Sequence, residues 1–238
     1  MNRLIFLDTE TTGNNLLTDH LFEVCYSTGG KIHAELFTPP LPISVKAQSI
    51  THITNKMLLG KPKFADSQMK QDLQQLFIDG ILVAHNAKFD IAMLAKEGVE
   101  VPHFICTLKV ARYLDADSQI PEYNLQYLRY HHALEIDALS HDAKSDVLVL
   151  EGLFKKMYDT LFEKLQDEEK VIQEMIKISS EPFLIKTFNF GKHKNELVKD
   201  VYYADKKYLE WLLLSMEQND RDNDDWIFTL KHYLQIKN

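Results

Sequence analysis

Cysteine and long apolar runs are scarce in this sequence, and each scarcity excludes a class of protein. Cys25 and Cys106 are the only cysteines among 238 residues, and their spacing fits neither a disulfide framework nor a zinc or redox motif. No segment approaches the roughly 20 apolar residues that span a membrane, and the apolar run before Asp8 is too short for a signal peptide. We therefore expect a cytoplasmic protein without a membrane partner, in which both thiols are buried and reduced.

Positive charge is scarce as well. The chain has 27 Lys and Arg residues against 35 Asp and Glu residues, which gives a net charge of −8 at pH 7. Such a surface repels nucleic acid as a whole, so any nucleic acid must be bound locally and not along a wide basic groove. The 45% of hydrophobic residues is typical of a globular protein, here long enough for one large domain or for a main domain with a smaller companion.

The order of the predicted elements indicates the fold class. Strand patterns occur at Leu4–Leu7, Leu21–Ser27, Lys31–Phe37, Ile81–Ala84 and Phe104–Cys106. Helical patterns follow at 66–79, 89–96, 108–114 and 125–131, then after Ser140 and near Asp167. A hairpin through Gly29-Gly30 followed by strand–helix alternation predicts an α/β protein with a mixed sheet and helices on its faces.

Two carboxylates stand at the end of the first predicted strand. Asp8 and Glu10 are separated by one residue, so the period of a strand points both side chains to one face. Two like charges at the end of an apolar strand are costly unless a cation neutralises them or one pKa is raised. A hard divalent metal ion is the natural partner of such a pair.

Two further segments supply the remaining groups that phosphodiester hydrolysis requires. Asp90 opens a helix at the end of HNAKFD (85–90), and Asp146 points inward from a helix that begins within HDAKSD (141–146). Four carboxylates can hold two Mg²⁺ ions, of which one activates the attacking water and the other stabilises the leaving 3′ oxygen. His141 titrates near neutrality and can accept the proton of that water.

These three segments together resemble a known family. FLDTETTG (6–13), HNAKFD (85–90) and HDAKSD (141–146) are similar to the three exonuclease motifs of the DEDDh, or DnaQ-like, 3′–5′ exonucleases over about residues 1–165. The resemblance implies an RNase H-like fold with a mixed five-stranded sheet flanked by helices. It also implies two Mg²⁺ or Mn²⁺ ions held by Asp8, Glu10, Asp90 and Asp146, with His141 as general base. The related class of these exonucleases has a tyrosine four residues before the last acid, which here is the position of Asp142, so no tyrosine can take that role in this chain.

Substrate contacts are predicted with alternatives left open. Thr9, Thr11 and Thr12 are either contacts to the terminal nucleotide or ordinary turn residues. Ile50 and Ile53, in a predicted loop at 49–54, either line the approach of the terminal base or pack within the loop. The remaining predicted contacts near the substrate are His85, Asn86 and Phe89, of which the first two orient the turn beneath Asp90 and do not bind metal.

The C-terminal segment resembles the extension that follows exonuclease X-like domains. It carries FGKHKN (190–195) and YLEWLL (208–213), with Asn195 where that pattern commonly has glycine. Asparagine also tolerates a left-handed turn. The lysines and aromatic residues either guide a single strand or, for Tyr208, Trp211 and Leu212, form a core stripe. We predict an exonuclease domain at 1–165, a helical linker at 166–181 and an exonuclease X-like module at 182–238.

The functional prediction is a metal-dependent 3′–5′ exonuclease that removes nucleoside 5′-monophosphates from the 3′ ends of single-stranded DNA. One alternative is an RNA 3′ exonuclease similar to ribonuclease T, because no residue identified so far distinguishes the 2′-hydroxyl. The other is a non-catalytic docking protein for a polymerase or repair complex. A site that has lost its catalytic activity is expected to lack at least one of the four acids or the histidine. This sequence has all five residues, which favours an enzyme.

Overall fold

The computed structural model describes residues 3–115, 119–136, 143–218 and 223–235. Contacts divide the chain into two units. The first comprises Met1–Ala111 and Glu122–Ser179, and the second comprises Arg112–Pro121 and Ser180–Asn238. Across the described ranges, none of the helices combines the length and the apolar character needed to cross a bilayer.

The first unit is built on a five-stranded mixed sheet. Its strands are β1 (Leu4–Thr11), β2 (Leu21–Thr28), β3 (Lys31–Leu36), β4 (Ile81–Ala84) and β5 (Phe104–Cys106), in the order β3-β2-β1-β4-β5. β1 is antiparallel to β2 and parallel to β4, which is parallel to β5. Gly29 and Gly30 both have positive φ, at 58° and 76°, which the tight turn between β2 and β3 requires. The predicted mixed sheet is therefore confirmed.

Helices occupy most of the remaining chain. They are α1 (Val45–Thr51), α2 (Gln68–Leu76), α3 (Ala87–Lys96), α4 (Thr107–Leu114), α5 (Leu125–His131), α6 (Ala143–Leu165), α7 (Glu168–Ser180), α8 (Val198–Ala204), α9 (Lys206–Glu217) and α10 (Asp224–Leu234), with a 3-10 turn at Phe64–Asp66. α5 begins as predicted, because the Asn124 side chain accepts a hydrogen bond from the backbone N–H of Tyr127 at 2.8 Å.

The predicted loop at 49–54 is wrong in its first half, because residues 49–51 are the end of α1. The helix begins where the Ser44 hydroxyl accepts from the backbone N–H of Ala47 at 3.0 Å. The β-branched residues Val45 and Ile50 are poor helix formers, so α1 has no clear helical pattern in the sequence. Burial of its Ala47 and Thr51 supplies the stability that its propensity lacks.

The sheet has an apolar layer on each face. On one face, Ile5 and Leu7 of β1 pack in a cluster that includes Leu73 of α2 and Leu94 of α3. On the other face, α6 lies across β1 and β2, where Cys25 packs with Val147. Both predicted thiols are buried, Cys25 and Cys106. The alternation along β1 therefore decides which of its side chains meet α6.

The second unit has a core of its own. α8, α9 and α10 contribute to a cluster whose buried members are Phe188, Val198, Val201, Leu209, Leu212, Leu213, Met216 and Leu230. The Trp226 ring stacks on Phe188 with 4.8 Å between centroids. The domain boundaries predicted from the sequence, at 165/166 and 181/182, stay a prediction.

Gly80 provides a test of the packing between α2 and β1. A Cβ atom at this position would collide with the carbonyl oxygen of Leu76 and with Cδ1 of Ile5. We expect Gly80→Ala to lower the free energy of unfolding by about 1–3 kcal/mol, because backbone must move to admit the methyl group. Urea denaturation measures the effect. The neighbouring exposed residue provides the control, since Asp79→Ala should change stability by less than about 0.5 kcal/mol. Equal stability of the two variants would contradict the close packing of Gly80 against Leu76 and Ile5.

Candidate active site

The two carboxylates of β1 lie on the face that meets α6. Side chains along β1 alternate between half-buried and buried positions, so Asp8 and Glu10 share one face while Thr9 lies on the other. In the antiparallel register, Glu10 stands directly opposite Glu23 of β2, whose side chain is buried. The sheet thus presents three carboxylates to one side of its central strands.

A further carboxylate comes from the first turn of α6. Asp146 is buried there, next to the apolar residues through which α6 packs on the sheet. Asp8, Glu10 and Asp146 each offer one oxygen atom, and these oxygens lie within 4.8 Å of one another. Of the residues that the structure describes, these form the group with metal-binding geometry. An all-oxygen donor set of carboxylates suits a hard divalent ion such as Mg²⁺ or Mn²⁺.

Asp90 reaches the site from α3. The preceding Asn86 has a left-handed conformation with φ of 66°, which asparagine tolerates, and α3 begins at the next residue. The buried Asp90 carboxylate accepts a hydrogen bond from the Thr9 hydroxyl at 2.7 Å. Asp90 is outside the group of three, although it has the strongest charge effect on Asp8.

Two acids of the site, Asp8 and Asp90, have raised pKa values. Burial raises the pKa of Asp8 well above its ordinary value, and repulsion from Asp90, Glu10, Asp146 and Glu23 raises this pKa further. Burial also raises the pKa of Asp90 to about 7, against the opposing effect of hydrogen bonds from Thr9. In the absence of a cation, part of this cluster therefore stays protonated near neutral pH. A divalent cation would replace those protons.

His85 braces the turn beneath Asp90. Its Nε2 lies 2.8 Å from the carbonyl oxygen of Tyr123 and must carry the proton, because a carbonyl only accepts. Its Nδ1 lies 2.9 Å from the Thr107 hydroxyl. Both ring nitrogens are thus engaged within the protein, between the end of β4 and the segment before α5. These contacts agree with the predicted role of His85, which is to orient the turn beneath Asp90 and not to bind a metal ion.

The threonine hydroxyls of the first motif are used within the turn. Thr11 donates to the carbonyl oxygen of Gly13 at 2.7 Å, and Thr12 donates to Asp19 at 2.7 Å. A Cβ atom at Gly13 would lie 2.6 Å from the Asp19 carboxylate, so a side chain there would push Asp19 from its place beside Thr12. These contacts favour the turn interpretation for Thr11 and Thr12, whereas Thr9 lies within β1 and its hydroxyl is used by Asp90.

The apolar residues predicted near the substrate have different surroundings. Ile53 is buried in a cluster with Phe22 and Leu58, whereas 42% of the Ile50 side chain is exposed. Phe89 is partly buried against the core beneath α3. Of the two isoleucines, Ile50 therefore has the surface that a base could contact. His141 lies outside the described residues, so its predicted place in the site has no structural description.

Two polar residues of the site had no signal that identified them in the sequence. Glu23 lies within an apolar strand pattern, and only the register between β1 and β2 places it opposite Glu10. Gln126 of α5 donates through Nε2 to Oδ1 of Asp146 at 2.6 Å. A single glutamine on a short helix has no characteristic spacing, so only the packing of α5 against α6 reveals this contact.

The C-terminal residues separate into core and surface. Asn195 has φ of 72°, so the left-handed turn survives the replacement of glycine, as predicted. Leu212 is buried, whereas 59% of the Trp211 side chain is exposed, so the predicted core stripe is correct for Leu212 and wrong for Trp211. Nζ of Lys192 lies 4.9 Å from the centroid of the Tyr208 ring. A cation therefore lies over the aromatic surface of this unit.

Comparisons with known proteins identify the class. A family model described as "Exonuclease" matches residues 5–154, and a second, described as "Exodeoxyribonuclease X-like C-terminal", matches residues 188–215. The chain therefore belongs to the exonuclease family and is a hydrolytic enzyme of that family. The membership predicted from the three motifs is confirmed, as is the resemblance of the C-terminal segment.

Individual relatives agree with this membership. Exodeoxyribonuclease 10 of Escherichia coli (strain K12) is 30% identical over 239 residues, which cover 98% of this chain and 99% of the relative. DNA polymerase III subunit epsilon of Treponema pallidum (strain Nichols) is 32% identical over 161 residues, covering 63% of this chain and 74% of the relative. A solved structure of exonuclease X in complex with 5′ overhanging duplex DNA matches with a TM-score of 0.58 and 25% identity, covering 74% of this chain and 99% of that one. The predicted RNase H-like fold is thus confirmed.

The raised pKa values predict how the metal-free protein responds to pH. Between the ordinary carboxyl pKa and about 7, native Asp90 keeps a proton that the unfolded chain has lost, so stability falls as pH rises through this range. We expect Asp8→Asn to weaken this fall and to raise the melting temperature in EDTA at pH 8 by several degrees, since 1 kcal/mol corresponds to roughly 2–4 °C at this size. Thermal melts at pH 5 and pH 8 measure both effects.

The exposed Asp79 supplies the matched control for this experiment. Asp79→Asn removes the same charge away from the cluster and should leave the melting temperature at both pH values close to that of the parent. A parent protein whose stability rises from pH 5 to pH 8 in EDTA would contradict the raised pKa of Asp90 described here.

Proposed function

We propose that this exonuclease hydrolyses phosphodiester bonds at the 3′ ends of single-stranded DNA and releases nucleoside 5′-monophosphates. The observation that carries the proposal is the group of Asp8, Glu10 and Asp146, with oxygens within 4.8 Å of one another and Asp90 close enough to act on Asp8. The E. coli relative is an exodeoxyribonuclease, and the exonuclease X structure contains DNA. These two relatives favour DNA over RNA as the substrate.

In this proposal, Asp8, Glu10, Asp90 and Asp146 hold two Mg²⁺ or Mn²⁺ ions. When bound, such ions activate the attacking water and stabilise the leaving oxygen. Asp8 is the central ligand, because its pKa responds to each of the other three carboxylates. Thr9 keeps Asp90 in place through its 2.7 Å hydrogen bond. His141, which precedes α6 in the sequence, accepts the proton of the water as general base.

The turn after β1 and the exposed face of α1 are assigned to the terminal nucleotide in this proposal. Support comes from the exposure of Ile50 and from the position of the 11–13 turn directly after Glu10. The uncharged backbone of such a turn can approach a phosphate without adding to the repulsion from the carboxylates. Phe89 and Asn86 lie at the start of α3, beside the turn that His85 braces.

A docking role is the second candidate, favoured by one comparison. The T. pallidum relative is a subunit of DNA polymerase III, so association with a polymerase is a reasonable further role for this chain. A docking role and the hydrolytic role are compatible.

The preference for DNA over RNA and the cytoplasmic location both stay predictions, as does the division into domains at 1–165 and 182–238.

A single assay tests the hydrolytic proposal. Single-stranded DNA and RNA of one sequence, labelled at the 5′ end, are incubated with the full chain and Mg²⁺ or EDTA. We expect a ladder that shortens from the 3′ end, faster with DNA, and only with the metal. Asp8→Ala and Asp146→Ala should abolish the ladder, whereas Asp79→Ala, an exposed change of the same kind, should preserve it. Full activity of either site variant would refute the ligand assignment.

Replacement of His141 tests the general base separately. We expect His141→Ala to reduce the turnover number by roughly 10²–10⁴, because the proton of the attacking water loses its acceptor. His141→Ala should still bind Mn²⁺ like the parent, which distinguishes the base from the four ligands. The exposed His103 gives a control, since His103→Ala should retain the parental rate. An unchanged rate in His141→Ala would remove this residue from the mechanism.

A further inference from the structure

We propose that Gln126 is a positioning residue that holds the carboxylate of Asp146 in the orientation that binds a metal ion. Nε2 of Gln126 donates to Oδ1 of Asp146 at 2.6 Å, a short hydrogen bond between a neutral amide and a carboxylate. The inference rests on the proposed role of Asp146 as a ligand. Metal-binding carboxylates depend on such hydrogen bonds, because an unrestrained carboxylate rotates away from the geometry that the ion requires.

Arg129 decides which way the amide of Gln126 faces. Nη1 of Arg129 lies 3.3 Å from Oε1 of Gln126 and donates to it. A guanidinium has donors and no acceptor, so the amide oxygen must face Arg129 and the NH₂ group must face Asp146. The three residues thus form a directed series in which Arg129 donates to Gln126 and Gln126 donates to Asp146.

The fold anchors this series at its far end. Arg129 is buried, and its Nη2 donates to the carbonyl oxygen of Ile136. Ile136 in turn packs against α6 at Gly152, where a Cβ atom would lie 2.8 Å from Cδ1 of Ile136. Gln126 and Arg129 are three residues apart on α5, which brings their side chains together on one face of the helix. The orientation of the amide is therefore set by packing between α5 and α6.

A neutral donor suits this position better than a charged one. A lysine or arginine in contact with Asp146 would neutralise the carboxylate and compete with the metal ion for it. Gln126 fixes the carboxylate through one oxygen without supplying a positive charge. The guanidinium of Arg129 donates to the Gln126 amide, and that amide in turn donates to Asp146.

Calorimetric titration of the full chain with Mn²⁺, without nucleic acid, tests the inference. We expect Gln126→Met, which keeps the side-chain length and removes the donor, to weaken Mn²⁺ binding by roughly 10–100-fold. Gln126→Met also removes the acceptor of Nη1 of Arg129, so melting in EDTA is measured first and the titration is run at a temperature at which the variant is folded. Gln75→Met makes the same replacement at an exposed position of α2 and should bind Mn²⁺ like the parent.

Two further variants separate the outcomes. Gln126→Asn retains an amide but withdraws it by one methylene group, so it should show the same loss of Mn²⁺ affinity. If Gln126→Met is destabilised, the Mn²⁺ affinity of Gln126→Asn tests the positioning role instead. Asp8→Asn reports on the metal site itself. Loss of binding in Asp8→Asn with parental affinity in both Gln126 variants would overturn the positioning role and leave the proposed function intact. Parental affinity in Asp8→Asn would instead refute the metal site.

Discussion

Repulsion among buried carboxylates is the constraint on which the rest of this structure depends. Asp8 lies among other acidic groups, and their combined charge together with burial raises its pKa well above the ordinary value. Such a cluster opposes folding wherever its members are ionised and no cation is bound. The apolar layers on the two faces of the sheet must therefore supply the free energy that keeps the acids together.

The scaffold meets this constraint by geometry and by neutral hydrogen bonds. Alternation along β1 places Asp8 on the face of α6, while Leu7 on the opposite face packs into the core. Asp90 is held by the hydroxyl of Thr9 and Asp146 by the amide of Gln126. Both donors are uncharged, so they fix the carboxylates without cancelling the negative charge that attracts a divalent ion.

Much of the site was predictable because it depends on local periodicity. The strand period places Asp8 and Glu10 on one face, and the helical pattern turns Asp146 inward. Contacts that depend on tertiary packing were not predictable. The pairing of Glu10 with Glu23 follows from the register between β1 and β2, and no local pattern in either strand encodes that register. The helix α1 was missed for a related reason, since tertiary burial and not propensity stabilises it.

The same charge that constrains folding also links the proposed substrate to the proposed ions. A chain of net charge −8 with acids around Asp8 repels a phosphodiester whenever the cluster is ionised and free of cations. Bound divalent ions reverse the local sign, so metal and nucleic acid each strengthen the binding of the other, as thermodynamic linkage requires. Affinity for nucleic acid then arises at the site of hydrolysis. A broad basic surface is not needed for this mode of binding, which agrees with the scarcity of positive charge in the sequence.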